Sequence, residues 1–110
     1  MIIDREGNIT IITQEKASVK TLVSNIEKAY AAYKNDHLVI NLSCLDKITL
    51  EDIVEFLRLN NNHKGAKKSF AIVSSKVDLD EIPDEILVVP TLQEAFDIIE
   101  MEDIERDLGL

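Results

Sequence analysis

Short runs of aliphatic and β-branched residues alternate along this chain with segments whose apolar residues recur every three or four positions, the two periodicities that separate strand from helix. Ile2-Ile3 and Ile9-Thr10-Ile11-Ile12 read as two opening strands joined through Asp4 to Asn8, where Gly7 and Asn8 suit the positive φ of a hairpin turn. Ser18 is placed to cap a helix whose stripe is Val19, Leu22, Val23, Ile26, Ala29, Tyr30 and Tyr33, and Asn35-Asp36 ends it. Leu38 to Leu42 is a compact apolar run bounded by polar residues, which predicts a central strand covered on both faces.

Thr49-Leu50-Glu51-Asp52 has the form of a capping box and predicts a second helix with Leu50, Ile53, Val54 and Leu57 on its apolar face. That helix runs into Asn60-Asn61-Asn62-His63-Lys64-Gly65, where Gly65 suits a left-handed cap. Ser69 to Val73 and Ile86 to Val89 predict two more strands, separated by an acidic turn region that Pro83 interrupts. Thr91 to Glu94 is a second capping box, opening a last helix with Leu92, Ala95, Phe96 and Ile99 inward. Parallel strands need helical crossovers, so this order predicts one α/β domain over residues 1–110. Its sheet is mixed and mostly parallel, with four or five strands, an antiparallel opening hairpin and helices packed against it.

Two stretches depart from the simple pattern. Past Glu100 the chain continues as an acidic extension, residues 100–110, whose apolar residues Met101, Ile104 and Leu108 centre roughly 150° away from the stripe of the last helix at ~100° per residue. One straight helix cannot bury both sets against one sheet. Either the helix bends near Glu100 and the extension folds back on its own domain, or Met101, Ile104 and Leu108 face another chain. Phe56 and Leu59 likewise lie off the stripe of the second helix and either pack on a neighbouring helix or contact a partner.

Charge sharpens the second possibility. Residues 76–110 hold twelve acids against Lys76 and Arg106, a net of −10, while the rest of the chain comes to +1 of the total −9. That balance opposes DNA and anionic membrane and steers basic partners toward the acidic part. No apolar run reaches the roughly 18 residues of a membrane helix, and Met1 to Glu6 lacks the form of a signal peptide, so a cytoplasmic protein is expected.

The single cysteine, Cys44, sits in an apolar run and is expected to be a buried core thiol. His37 and His63 stand in different elements beside polar neighbours, which suggests surface positions, and no ligand-spaced Cys or His accompanies them. Arg58, His63, Lys64, Lys67 and Lys68 form a basic cluster that complements the negative end of the second helix. No nucleophile, metal or cofactor constellation is recognisable, and none is expected.

Val39-Ile40-Asn41-Leu42-Ser43, the segment through Leu57, and Leu92-Gln93-Glu94-Ala95 carry a resemblance to the STAS family, the sulfate transporter and anti-sigma factor antagonist domains. In that family a strand ending Ile-Asp-Leu-Ser leads to an Asp-Ser-Ser-Gly loop at a helix start, whose phosphorylated serine releases a partner. The alignment puts Thr49-Leu50-Glu51-Asp52 at that loop and Leu50 at the serine, so this switch is absent. Glu51 and Asp52 supply permanent negative charge in its place, and Thr49, the one hydroxyl there, is read as the helix cap.

The chain is also similar to short bacterial proteins carrying a ribonuclease Z label, although a zinc nuclease needs a His-x-His-x-Asp-His cluster that this sequence lacks. The resemblance implies a non-catalytic, STAS-like regulatory module that binds another protein, with a homodimer as a further possibility and an RNA-processing enzyme or accessory factor as the rival. Its expected partner-binding residues are Asp46, Thr49, Glu51, Asp52, Phe56, Leu59, Met101, Ile104 and Leu108.

Overall fold

In the computed structural model, which describes residues 1–15, 18–45 and 48–109, five strands form one mixed sheet in strict sequence order. They are β1 (Ile2–Glu6), β2 (Ile9–Thr13), β3 (His37–Asn41), β4 (Phe70–Val73) and β5 (Leu87–Val89). Only the β1–β2 pair is antiparallel; its register places Glu6 opposite Ile9 and leaves Gly7-Asn8 as the turn. Gly7 takes φ 60° while Asn8 stays at negative φ, the pattern of a type II′ turn, in which glycine occupies the first central position. Asp4, Arg5 and Glu6, expected in the turn, therefore belong to the strand.

The helices are α1 (Val19–Lys28), α2 (Leu50–Glu55), α3 (Leu57–Gly65) and α4 (Leu92–Asp107). Strands that advance in one direction through right-handed crossovers put every crossover on the same face of the sheet. α1, α2 and α3 accordingly share one core with that face, built on Ile12, Leu22, Ile26, Leu38, Ile40, Phe56, Phe70 and Ile72. The opposite face has α4, whose first half packs on Ile11, Val39, Ala71, Val73 and Val89 through Ala95 and Ile99. β3 lies between both layers and is buried at all five positions, whereas β1 at the sheet edge is exposed at all five.

Local signals account for the helix starts. Ser18 accepts from the Thr21 amide, and Thr49 and Asp52 form both halves of a capping box at 3.1 and 3.0 Å. At α4 Thr91 accepts from the Glu94 amide, the hydroxyl half of the expected box. α1 stops at Lys28, and Tyr30–Ala32 continue as a 3₁₀ turn that keeps Tyr33 in the core.

The end of α3 corrects one expectation: the left-handed residue is Lys67, with φ 65°, and Gly65 is helical. The Lys68 amide donates to the His63 carbonyl and the Lys67 amide to the Lys64 carbonyl, the paired bonds of a Schellman turn.

A second correction concerns the phase of the second helical segment, which breaks into α2 and α3 at Phe56. The expected stripe had Leu50 and Val54 inside, yet they are 41% and 44% exposed, while Phe56 and Leu59 are buried. The larger ring decides the phase, because Phe56 meets Phe70 of β4 with ring centroids 6.3 Å apart. Phe56 and Leu59 are therefore core residues and are withdrawn as partner contacts. Cys44 is likewise exposed, on the turn that follows β3, and is not a core thiol.

Candidate functional site

Both histidines are buried, against the surface placement expected for them. His37 opens β3 and shares the parity of Val39, so its ring points to the α4 side. The Ser69 amide donates to His37 Nδ1 at 2.9 Å, which leaves Nε2–H to donate to the Asp103 carboxylate at 2.9 Å. His63 lies on the other face. The Tyr30 hydroxyl donates to its Nδ1 at 2.6 Å, and its Nε2–H donates to the Asp36 carbonyl at 2.7 Å.

Burial holds the His63 ring below the ordinary imidazole range, although the Asp36 carbonyl opposes that effect. With both nitrogens of both rings occupied, neither histidine has a free nitrogen for acid or base work. Ser69 does not complete a nucleophilic arrangement, because its side chain is buried, donates to Glu102 and accepts from Arg106 at 2.9 Å.

These contacts make a polar seam between the lower half of α4 and the amino ends of β3 and β4. Glu102, Asp103 and Arg106 continue the inward phase of Leu92, Ala95 and Ile99, so α4 is one unbroken helix that changes from apolar to ionic packing partway along. Asp103 also accepts from Asn8 at 3.2 Å and from Arg106 at 3.3 Å. Burial alone pushes its carboxyl up, but the Asn8 and His37 hydrogen bonds and the Arg106 charge outweigh that and leave it below the ordinary range.

Asp36 behaves the same way. Its burial is outweighed by Arg5 and Thr10, each donating to the carboxylate at 2.8 Å. The bend near Glu100, one of the two arrangements the sequence leaves open, does not occur. Met101, Ile104 and Leu108 stand on the outer side of α4, exposed by 58, 53 and 68%, and so do not fold back on the domain.

The remaining sequence-chosen residues gather at the opposite end of the sheet. Thr49, Leu50 and Glu51 are exposed and Asp52 half-buried at the start of α2; Asp46 lies outside the described residues. Beside them Ile48, Thr49, Leu50, Lys76, Asp78 and Glu81 line a cleft of about 150 Å³. It sits beyond the carboxyl ends of β3 and β4. Small-molecule pockets run from about 300 Å³ upward, so this cleft suits a protruding side chain of a partner better than a free ligand.

Leu50 and Val54, one turn apart, extend the surface along α2, a contribution the expected helix phase had hidden. The basic cluster is dispersed: Arg58 makes a two-bond pair with Glu27 at 2.9 and 3.0 Å, Lys64 caps the Glu85 carbonyl at 2.7 Å, and His63 is internal.

Among the described residues no three His, Cys, Asp or Glu side chains are grouped so as to hold a metal ion. No helix among them is long and apolar enough to cross a membrane. No protein-family model matches the chain, and no curated protein matches it.

Proposed function

We propose that the protein is a non-catalytic interaction module of the STAS type, resembling an anti-sigma factor antagonist that lacks the phosphorylatable serine. The observation that carries this reading is the exposure of Leu50 and Val54 on α2, next to the acidic cap Thr49-Glu51-Asp52 and the cleft at the carboxyl ends of β3 and β4. Exposed aliphatic pairs rimmed by charge are what a protein interface uses as anchors. In this reading Leu50 occupies the place of the serine, and Glu51 and Asp52 keep the loop permanently negative, so binding is constitutive rather than switched by phosphate.

The test is capture from native cell extract with the full chain and with the double variant Leu50→Asp/Val54→Asp, followed by mass spectrometry. Both side chains are exposed, so the variant keeps the fold. A protein recovered by the wild type and lost with the variant supports the reading; identical recoveries from both sink it. Incubation with precursor transfer RNA, with and without zinc, addresses the rival, since reproducible metal-dependent cleavage would defeat a non-catalytic role.

A further inference from the structure

We infer that the outer face of α4 is a second docking surface, and that its occupant is a basic amphipathic helix of another protein. The inference rests on the interaction reading above but concerns a different surface, on the opposite layer of the sheet.

Three observations carry it. Met101, Ile104 and Leu108 follow the i, i+3, i+7 spacing of helix-in-groove anchors, and each is more than half exposed. The seam beneath them holds the helix in this rotation. Turning α4 over to bury the stripe would pull Asp103 from the buried His37 ring and Glu102 and Arg106 from the buried Ser69 hydroxyl. The stripe is thus held outward by specific bonds.

The charge around it selects the occupant. Asp97 and Glu105 flank the stripe, Glu100 and Asp107 lie on its shoulder, and the helix's one base, Arg106, is turned inward onto Ser69 and Asp103. Glu105 and Asp107 also lie at the negative end of the α4 dipole, where Arg106 is the one base of the last turn and is engaged inward, so Lys or Arg of a partner would offset their charge. A second copy would set carboxylates against carboxylates, and an anionic membrane is repelled for the same reason.

The probe is a synthetic Leu/Lys amphipathic peptide of about 18 residues, five helical turns, with a scrambled peptide of identical composition as control. Titration against the full chain, read by calorimetry, is expected to show binding of the amphipathic peptide that weakens with salt, and at least about tenfold weaker binding of the scrambled one. The variant Met101→Ser/Ile104→Ser/Leu108→Ser is expected to lose at least about tenfold in affinity, while Leu50→Asp/Val54→Asp retains it, which separates this surface from the one on α2.

Equal binding of both peptides, or unchanged binding by the triple variant, would mean the field alone attracts cations and would overturn the proposal. So would failure to bind either peptide. Sedimentation velocity closes the remaining possibility, because a dimer abolished by Ile104→Lys would make the occupant a second copy and overturn a basic one.

Discussion

His37 Nε2–H donates across 2.9 Å to the carboxylate of Asp103, tying the first residue of β3 to the lower half of α4 over 66 positions of chain. The His37 donor is buried and Asp103 partly exposed, so losing the carboxylate strands a buried N–H that water replaces only in part. Asp103→Ala is expected to lower stability by about 1 kcal/mol, with faster amide exchange over the last two turns of α4 and unchanged exchange in β3. Asp103→Asn keeps an acceptor oxygen and should cost less. Equal urea midpoints for wild type and Asp103→Ala would show that the Asp103 bonds contribute nothing to stability.

The order of elements was legible because β2 to β5 each centre on a short apolar or β-branched run and α1 and the first half of α4 carry a three-four spacing, and the caps at Ser18, Thr49 and Thr91 needed only residues three apart. The seam was not legible. Glu102, Asp103 and Arg106 sit at inward positions of α4, but burying acids and a guanidinium requires partners, and those partners, His37 and Ser69, are remote in sequence. For the same reason the off-phase stripe of Met101, Ile104 and Leu108 could be seen, while its outward direction could not. The phase of α2 and α3 failed differently: aliphatic residues occur on both candidate faces, and only contact with Phe70 of β4 shows that Phe56 belongs inside.

The left-handed Lys67, φ 65°, offers a simple gain. An L-residue with a Cβ in this region costs about 1–2 kcal/mol, part of which glycine returns in the greater freedom of its unfolded chain. Lys67→Gly should therefore raise stability by about 0.5–1 kcal/mol, read as a higher urea midpoint with unchanged slope. A destabilised variant would mean that the Lys67 side chain contributes more than its backbone strain costs.

The start of α2 separates cap, surface and core within eleven residues. Thr49→Ala removes the hydroxyl half of the capping box and should cost about 1 kcal/mol. Leu50→Ser and Val54→Ser, on the exposed side, should stay within about 0.5 kcal/mol of wild type. Phe56→Ala and Leu59→Ala, fully enclosed, should cost about 2–5 kcal/mol each. The reverse ranking, with Leu50 and Val54 costly and Phe56 tolerant, would restore the helix phase expected from the sequence and remove the basis for the α2 docking surface.

Acid should weaken the fold through His63 before it reaches the carboxylates. In the folded chain burial lowers the His63 pKa, and a proton on Nδ1 would displace the bond from Tyr30. The unfolded chain takes that proton near the ordinary value of about 6.5. The unfolded state thus binds more protons just below neutrality, and stability present above about pH 6.5 is lost progressively as pH falls toward the folded value. Asp36 and Asp103, whose carboxyls are held below their ordinary range, add losses in the same direction only below about pH 4. Imidazole proton shifts followed by NMR should show His63 titrating below about 6.5. In His63→Gln, which retains a side-chain donor for the Asp36 carbonyl, the urea midpoint should lose the decline that begins below about pH 6.5 in the wild type. Titration of His63 at or above the ordinary value, or an unchanged decline in His63→Gln, would place the acid sensitivity elsewhere.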